Sequence, residues 1–306
     1  LQRRLVLRRR QGPARKRLFE QLAARHPTNK VREILLAAEG LKVARTLAPE
    51  EEVADFVRAM SALGLYAALY HRKYVCQPDA GKGGWISRHG LELELEAAPA
   101  GLLMVYLADN PTAALRAMEA EHAHADADFG DLLGIPACCS AFYAASIAAA
   151  EREQNDFILP VLDNTGPRWP YRHGANIAAQ YFDSGLLSFY PCSFHCAAAA
   201  QVTLDSHQVL ARYDRVWADG LLAAQHDAIL YTEYEGIYRM RGARYRRDTL
   251  HYDPARVEST LDGVLGHLVR QGDRLRLFST HHALVMRGRR MVCEIQSRYV
   301  GLLVFD

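Results

Sequence analysis

The first 62 residues carry a helical pattern of hydrophobic and polar positions. Apolar side chains recur at intervals of three and four, which places them on one helix face: Val31, Ile34, Leu35, Ala38 and Leu41. Glu50, Glu51 and Glu52 follow Pro49, as acids do in the first turn of a helix. Gly64 is expected to end that helix. We predict a helical N-terminal segment over residues 1–62.

Strand patterns follow. Residues 65–75 are rich in tyrosine and aliphatics, residues 90–96 alternate Leu with Glu, and residues 102–107 are continuously apolar. Pro111 then fits the first turn of a helix. Residues 111–225 are mostly helical in pattern. Residues 226–306 are predicted to form strands around one helix over residues 254–271, with residues 274–279, 283–286, 290–295 and 300–305 as a meander.

Helices and strands therefore come in blocks, which favours an α+β fold over a doubly wound sheet. We expect helical N-terminal and central segments packed on a mainly antiparallel sheet, with a C-terminal β-meander. Three segments are predicted: residues 1–62, which are helical and include a basic arm; residues 63–225, an α/β segment that carries most of the cysteines; and residues 226–306, which are β-rich with one helix.

Composition narrows the class of protein. Half of the 306 residues are hydrophobic and 24% are charged, as in ordinary globular chains. The chain has six cysteines, too few for a disulfide scaffold of this length, and no apolar run approaches the roughly 20 residues of a membrane span. We expect a cytoplasmic protein with no membrane contact. The stretch 81–84 (Gly-Lys-Gly-Gly) lacks the P-loop spacing and is interpreted as a hairpin connection.

Charge is unevenly distributed. Residues 1–17 carry eight basic side chains and no acid, so with a total of +2 the remaining residues sum to −6. Such an arm predicts weak contact with nucleic acid or an acidic partner. The alternative is a solvated basic helix face, because the arm has no aromatic residues to stack on bases.

Four of the six cysteines lie in two segments of similar sequence. Residues 134–145 include Pro136, Cys138 and Cys139, and residues 190–198 include Pro191, Cys192 and Cys196. Proline favours the first helical turn, so we predict that both segments start helices and that Cys192 and Cys196 share one helix face. A helix N-terminus stabilises a thiolate. Four thiolates in one place require a cation, and both zinc and an iron–sulfur cluster accept four cysteines.

The identity of the metal depends on the adjacent pair. Cys192 and Cys196 fit the spacing of structural zinc ligands. Cys138 and Cys139 diverge on a regular helix and can reach one small ion only if the turn is irregular, which favours an iron–sulfur cluster over zinc. Inert core cysteines or a redox-active disulfide are the other interpretations. Cys76 and Cys293 lie in apolar strand patterns and are predicted to be core residues.

The strings 132–139 (Leu-Leu-Gly-Ile-Pro-Ala-Cys-Cys) and 191–196 (Pro-Cys-Ser-Phe-His-Cys) resemble an uncharacterised prokaryotic protein family. Its signature is G-[YIF]-P-x-C-C followed by P-C-S-x-x-C. The likeness covers about residues 102–200. It implies that the four cysteines belong to one site, and it brings no established activity.

Other polar residues are candidates around the cysteines. His195 lies between Cys192 and Cys196 and is a candidate catalytic proton donor or substitute ligand, with a surface histidine as the alternative. Residues 168–176 form a loop between the cysteine segments. In it His173 is a candidate catalytic residue, and Arg172 and Asn176 are candidates for binding a cofactor. The alternative for this loop is a turn capped by Asn176. His122 with Asp126, and His124 with Asp128, could each share one helix face and supply two ligands, with a solvated, charge-rich helix end as the alternative.

Two functions remain open. The first is an enzyme in which an iron–sulfur or zinc centre acts on a small-molecule or peptide substrate, by sulfur transfer or a biosynthetic modification. The second is a non-catalytic accessory protein that binds a peptide or nucleic acid, with structural zinc or plain core cysteines.

Overall fold

The computed structural model describes residues 12–82, 85–150 and 157–306. Within them the helices are α1 (Gly12–Ala23), α2 (Thr28–Ala38), α3 (Val53–Ala62), α4 (Pro111–His122), α5 (Asp126–Leu132), α6 (Ala137–Ala150), α7 (Ile158–Thr165), α8 (Ala197–Leu210), α9 (Arg215–Ala224) and α10 (Val264–Gln271). The short 3-10 helices are Glu50–Glu52, Ala80–Lys82, His173–Ala175, Ile177–Phe182 and Pro254–Arg256.

The strands of the described residues are β1 (Ala44–Pro49), β2 (Tyr66–Asp79), β3 (Trp85–Glu94), β4 (Leu102–Ala108), β5 (Ala228–Thr232), β6 (Tyr238–Met240), β7 (Arg244–Arg246), β8 (Thr249–His251), β9 (Val257–Ser259), β10 (Arg274–Ser279), β11 (His282–Arg287), β12 (Arg290–Gln296) and β13 (Val300–Leu303). They form three sheets, whose registered pairs are antiparallel, in the orders β1-β4-β2-β3, β12-β11-β10-β8-β7 and β13-β5-β6-β9. The predicted α+β class is confirmed.

The chain divides into two compact units. Among the described residues, the first unit takes residues 12–77, 88–145 and 205–219, and the second takes the remainder. The three segments predicted from the sequence follow chain order, whereas each unit combines stretches from several parts of the chain.

The first unit is built on β4, whose apolar run is buried over six of its seven residues. β1 and β2 pair with β4 on either side, and α4 packs against it. Asn110 caps α4 by accepting a hydrogen bond from the Ala113 N–H at 2.8 Å, and Pro111 lies in its first turn, as predicted. Gly64 ends α3 with a φ of +85°, a conformation that favours glycine.

The second unit buries its core among two sheets and α10. The core cluster includes Leu230 of β5, Tyr238 of β6, Leu250 of β8, Leu275 of β10 and Val285 of β11. Leu275 and Val285 alternate with more exposed neighbours, as a half-buried antiparallel strand requires, whereas β5 is buried along its whole length.

Three local predictions are wrong. Residues 44–49 are strand β1, not helix, because they pair along their whole length with β4. Within the predicted helix 254–271, only Val264–Gln271 is α-helical and Pro254–Arg256 is a 3-10 turn, since Val257–Ser259 pairs with β6. Residues 300–303 leave the meander and pair with β5. In each case pairing with a distant strand overrides local propensity.

The contacts of Lys82 argue against phosphate binding by the glycine-rich stretch. Its ammonium group is buried and donates to Asp79 at 2.9 Å and to Glu233 at 2.8 Å. A lysine committed to two buried carboxylates cannot reach a phosphate. β2 ends at Asp79, β3 begins at Trp85, and the two strands are neighbours in the sheet, as a hairpin requires; Gly83 and Gly84 lie outside the described residues.

No helix in the described ranges is both long and apolar enough to span a membrane. The first eleven residues of the predicted basic arm lie outside the described residues. Arg15 lies on α1, where it donates to Glu39 at 3.2 Å.

Gly174 provides a test of packing in the second unit. A Cβ built there would lie 2.8 Å from the Ala200 Cα and 3.0 Å from the Ala200 carbonyl oxygen on α8. Because a backbone cannot move aside cheaply, Gly174→Ala is expected to lower the free energy of unfolding by about 1–3 kcal/mol. Urea denaturation measures this change.

The matched control is Gly220→Ala, in the interior of α9, where an added Cβ meets nothing within 4 Å. It should be neutral or stabilising by up to about 1 kcal/mol. If both substitutions changed the free energy of unfolding equally, the close approach of Gly174 to Ala200 on α8 would not be what makes alanine unfavourable at position 174.

Candidate metal centre

The first cysteine pair lies in the opening turn of α6. The Cys139 N–H donates to the Pro136 carbonyl at 2.8 Å, three residues back, and the Ser140 N–H donates to the same oxygen at 3.1 Å. The shorter span marks a tightened first turn. The Sγ atoms of Cys138 and Cys139 are 3.9 Å apart. The two adjacent sulfurs therefore lie close enough together for both to contact one ion.

The second pair is arranged differently from the prediction. Cys192 lies in a bend before the helix, and Cys196 immediately precedes α8. The Cys196 N–H donates to the Ser193 carbonyl at 2.9 Å, and the Cys196 Sγ accepts from the Ala199 N–H at 3.4 Å. Cys196 thus caps the helix, while a turn and not a shared helix face joins it to Cys192. The prediction of one helix through both cysteines is wrong, because the turn between them closes before α8 begins.

The loop that holds the second pair is braced at several points. Asn164 donates to the Cys192 carbonyl at 2.7 Å, and the Thr165 hydroxyl accepts from the Phe194 N–H at 2.9 Å. The Phe194 ring is fully buried and stacks on Tyr171, with 5.4 Å between ring centroids. Cys192 and Cys196 are therefore presented by a loop that is anchored to α7 and to a buried aromatic pair.

All four sulfur atoms come together. The Sγ atoms of Cys138, Cys139, Cys192 and Cys196 lie within 4.8 Å of one another, so this group could hold a metal ion. Two like charges 4 Å apart repel by about 4 kcal/mol at an effective dielectric constant of 20. Four thiolates at this spacing therefore require either protons or a bound cation.

The other two cysteines have different surroundings. Burial raises the pKa of both the Cys76 and the Cys293 thiol. Cys293 packs against the core cluster of the second unit. Both residues lie on strands, as the sequence predicted, and neither belongs to the four-cysteine group.

His195 is held beside the cysteine loop by backbone contacts. Its Nε2 lies 2.9 Å from the Arg168 carbonyl, so this nitrogen carries the proton and donates. Its own carbonyl accepts from the Arg172 Nε at 3.1 Å. The Arg172 guanidinium thus stabilises the loop through one nitrogen. The catalytic role of His195 and the cofactor role of Arg172 remain predictions.

His173 belongs to a second group of residues that sequence reasoning did not assemble. Its ring Nδ1 lies 2.7 Å from the Asp306 carboxylate, and the Asp306 main-chain oxygen contacts the His226 Nδ1. Asp306 has a lowered pKa: burial would raise it, but the hydrogen bonds from His173 and the nearby histidines outweigh that effect. No sequence signal links these three positions, which are 53 and 80 residues apart.

The geometry of this second group suits hydrogen bonding. Its three residues could each offer an atom to a metal within 4.8 Å. The His173 and His226 rings, however, stack at 4.0 Å with only 21° between their planes. An imidazole binds metal in its ring plane, and two nearly parallel planes share no point at bonding distance from both. Asp306 therefore fixes the orientation of the His173 ring by a hydrogen bond, and the catalytic role of His173 stays a prediction.

Asn176 is a capping residue, as the alternative interpretation of its loop predicted. The residue is fully buried, its amide group donates to the Gln225 carbonyl at 2.9 Å, and its side-chain oxygen accepts from the Ala179 N–H at 3.2 Å. It caps the 3-10 helix Ile177–Phe182. Binding a cofactor would require these buried hydrogen bonds to break.

The histidine–aspartate pairs do not share a helix. His122 ends α4, whereas Asp126 begins α5, and His124 between them has a φ of +53°. The break puts His122 and Asp126 on different helices, and it leaves His124 outside the helix that contains Asp128. His122 instead lies 3.3 Å from the Tyr70 hydroxyl through its Nδ1.

No protein-family model, curated protein or solved structure matches this chain.

Thiol reactivity should follow these surroundings. In metal-free protein at neutral pH, iodoacetamide should label the exposed Cys138 well before Cys76 and Cys293, because a raised pKa leaves less thiolate. Peptide mass spectrometry over time measures the order. Faster labelling of Cys293 than of Cys138 would contradict it.

A pH dependence is expected from His281. The hydrogen bond with Asp163, 2.8 Å from its Nε2, raises the pKa of His281 against the opposing effect of burial, and the Val300 carbonyl adds to the rise. A raised pKa gives stability that is complete below the ordinary histidine pKa of about 6.5 and is lost as pH rises through the folded value.

Asp163→Asn should therefore lower the free energy of unfolding at pH 5.5, by about 1 kcal/mol or less for a partly exposed pair. The difference from the wild type should shrink towards pH 8.5. Urea denaturation across this range is the measurement, and a difference that is constant with pH would contradict the assignment.

Proposed function

We propose that this chain is a zinc-binding protein in which Cys138, Cys139, Cys192 and Cys196 ligate one tetrahedral ion. The observation that carries the proposal is the spacing of the four sulfur atoms, all within 4.8 Å. Four thiolates about 2.3 Å from one zinc ion stand about 3.8 Å apart at the corners of a tetrahedron. The separation of 3.9 Å between the Cys138 and Cys139 sulfurs fits that edge.

The same spacing supports a single ion over an iron–sulfur cluster. In a cluster the irons and sulfides occupy the centre, and at least some thiolates bind different irons. Those thiolates must stand farther apart than they do around one ion. The adjacent cysteines, which favoured a cluster on sequence grounds, are accommodated by the tightened first turn of α6.

A zinc ion with four thiolates has no position left for water or substrate, which is typical of structural sites. We therefore infer a structural role for the ion: it neutralises the thiolates and fixes the opening turn of α6 and the loop before α8. This interpretation favours a non-catalytic accessory protein. The resemblance to a family with the G-x-P-x-C-C and P-C-S-x-x-C signature is consistent with one shared site.

A second candidate is a cluster-dependent enzyme of sulfur transfer or biosynthetic modification. One observation favours it: Cys138 is exposed, so a ligand thiolate would be open to a substrate. His173, oriented by Asp306, would be the available acid–base group.

Metal analysis tests both candidates. Protein purified without air should contain one zinc per chain, no labile sulfide and no visible colour. Cys192→Ser or Cys139→Ser should reduce the bound zinc from one equivalent to near zero under dialysis, because three ligands do not complete the site. Cobalt substitution should give the intense visible bands of a tetrahedral thiolate complex, and the same variants should lose them.

Cys293→Ser is the matched control, since it removes a thiol outside the group, and it should retain the full equivalent of zinc. A brown protein that contains labile sulfide would contradict the zinc proposal and support an iron–sulfur cluster. If the wild-type protein bound no metal from solution, both the zinc proposal and the iron–sulfur alternative would be wrong.

A further inference from the structure

One face of the sheet β12-β11-β10-β8-β7 is directed away from the core. Leu250, Leu275, Leu277 and Val285 are buried on the inner face, and Tyr245 packs against the same core. Because side chains alternate along a strand, their neighbours lie on the other face. These neighbours are the exposed or partly exposed Arg244, Arg246, Thr249, His251, Arg274, Arg276 and Phe278.

The strand register gathers four arginines on this outer face. His251 pairs with both Arg244 of β7 and Arg274 of β10, and Thr249 pairs with both Arg246 and Arg276. Arginines on the same strand are about 7 Å apart, and the two strands lie about 10 Å apart across β8. The four guanidinium groups thus form a compact array within the second unit.

The charge of the array is only partly balanced. Arg274 pairs with Asp273 at 2.8 Å and Arg276 with Asp248 at 3.8 Å, and all four side chains are at least a third exposed. Exposed pairs of this kind contribute about 1 kcal/mol or less, so they yield readily to a stronger anion. Within the described residues, Arg244 and Arg246 form no ion pair.

Further arginines extend the positive surface at both ends. The turn between β7 and β8 adds the exposed Arg247, and the turn between β11 and β12 adds the exposed Arg287, Arg289 and Arg290. Eight arginines on this face and its two turns meet three acids, Asp248, Asp273 and Glu294. The face carries a large positive excess in a chain whose total charge is only +2.

An apolar strip lies beside the arginines. Phe278 and Met291 are about half exposed, and Leu284 and Met286 are partly exposed. The Arg276 guanidinium lies 5.3 Å from the Phe278 ring, which also stacks on His282 at 4.8 Å. Cationic groups next to an exposed aromatic ring are the elements that bind a phosphate backbone and stack on bases.

We propose that the outer face of this sheet binds single-stranded nucleic acid. Guanidinium groups bind phosphate through two hydrogen bonds each, and the apolar strip would contact bases, which a duplex conceals. An acidic peptide fits less well, because peptides add to the edge of a sheet and not to its face. The proposal does not depend on the metal centre.

Fluorescence anisotropy of labelled single-stranded RNA and DNA of about 12 nucleotides, added to the full chain, tests the proposal. Affinity should fall roughly 15- to 60-fold between about 50 and 200 mM salt if three or four phosphates are neutralised. Arg246→Glu combined with Arg276→Glu should weaken binding at least tenfold and flatten the salt dependence. Phe278→Ala should weaken binding about tenfold without changing the salt slope.

Matched controls are available on the surface. Arg58→Glu reverses a charge on α3 that is more exposed than Arg276, and Val264→Ala trims an exposed apolar side chain on α10. Both should bind like the wild type. Circular dichroism should show that every variant is folded, since all these side chains lie on the surface.

Four outcomes would overturn the proposal. They are the absence of saturable binding, unchanged binding by the double arginine variant, equal or tighter binding of a duplex, and equal or tighter binding of poly-glutamate. Unchanged binding by the double variant together with loss on Arg8→Ala, Arg9→Ala and Arg10→Ala would assign the contact to the N-terminal arm. Zinc content measured on the same samples separates any failure here from a failure of the metal centre.

Discussion

The mutual repulsion of four closely spaced thiolates is the constraint on which the candidate site depends. Sulfur atoms within 4.8 Å of one another cannot all be ionised without a cation. The single ion that we propose at their centre would remove the repulsion and gain four bonds. Metal affinity would then contribute to folding, because the unfolded chain does not hold the ligands together. Stability and metal occupancy are expected to be one property in this protein.

Two different local backbone structures bring the two pairs of cysteine sulfurs together. At Cys138 and Cys139 a tightened helical turn allows neighbouring side chains to approach one point. At Cys192 and Cys196 a loop, anchored by Asn164, carries both sulfurs ahead of the helix that Cys196 caps. A shared proline-containing pattern in the sequence thus leads to two distinct local structures. The N–H groups at each helix start favour negative charge on the sulfurs that lie there.

The second unit also carries polar groups that are not part of the four-cysteine group. Asp306 orients His173 and contacts His226, and the outer sheet face carries unbalanced arginines such as Arg244 and Arg246. A structural ion and a basic binding face are compatible parts of an accessory protein. An exposed Cys138 and a histidine oriented by Asp306 are the features that would instead suit an enzyme.

Local sequence by itself determined the α+β class, strand β4, the start of α4 at Pro111 and the membership of the cysteine group, because these follow from short-range periodicity, proline geometry and thiol chemistry. Only the tertiary structure decided that residues 44–49 form a strand and that His173 meets Asp306. It also decided that four arginines share one face. Strand pairing joins residues far apart in the chain, and its energy is absent from any local window of sequence.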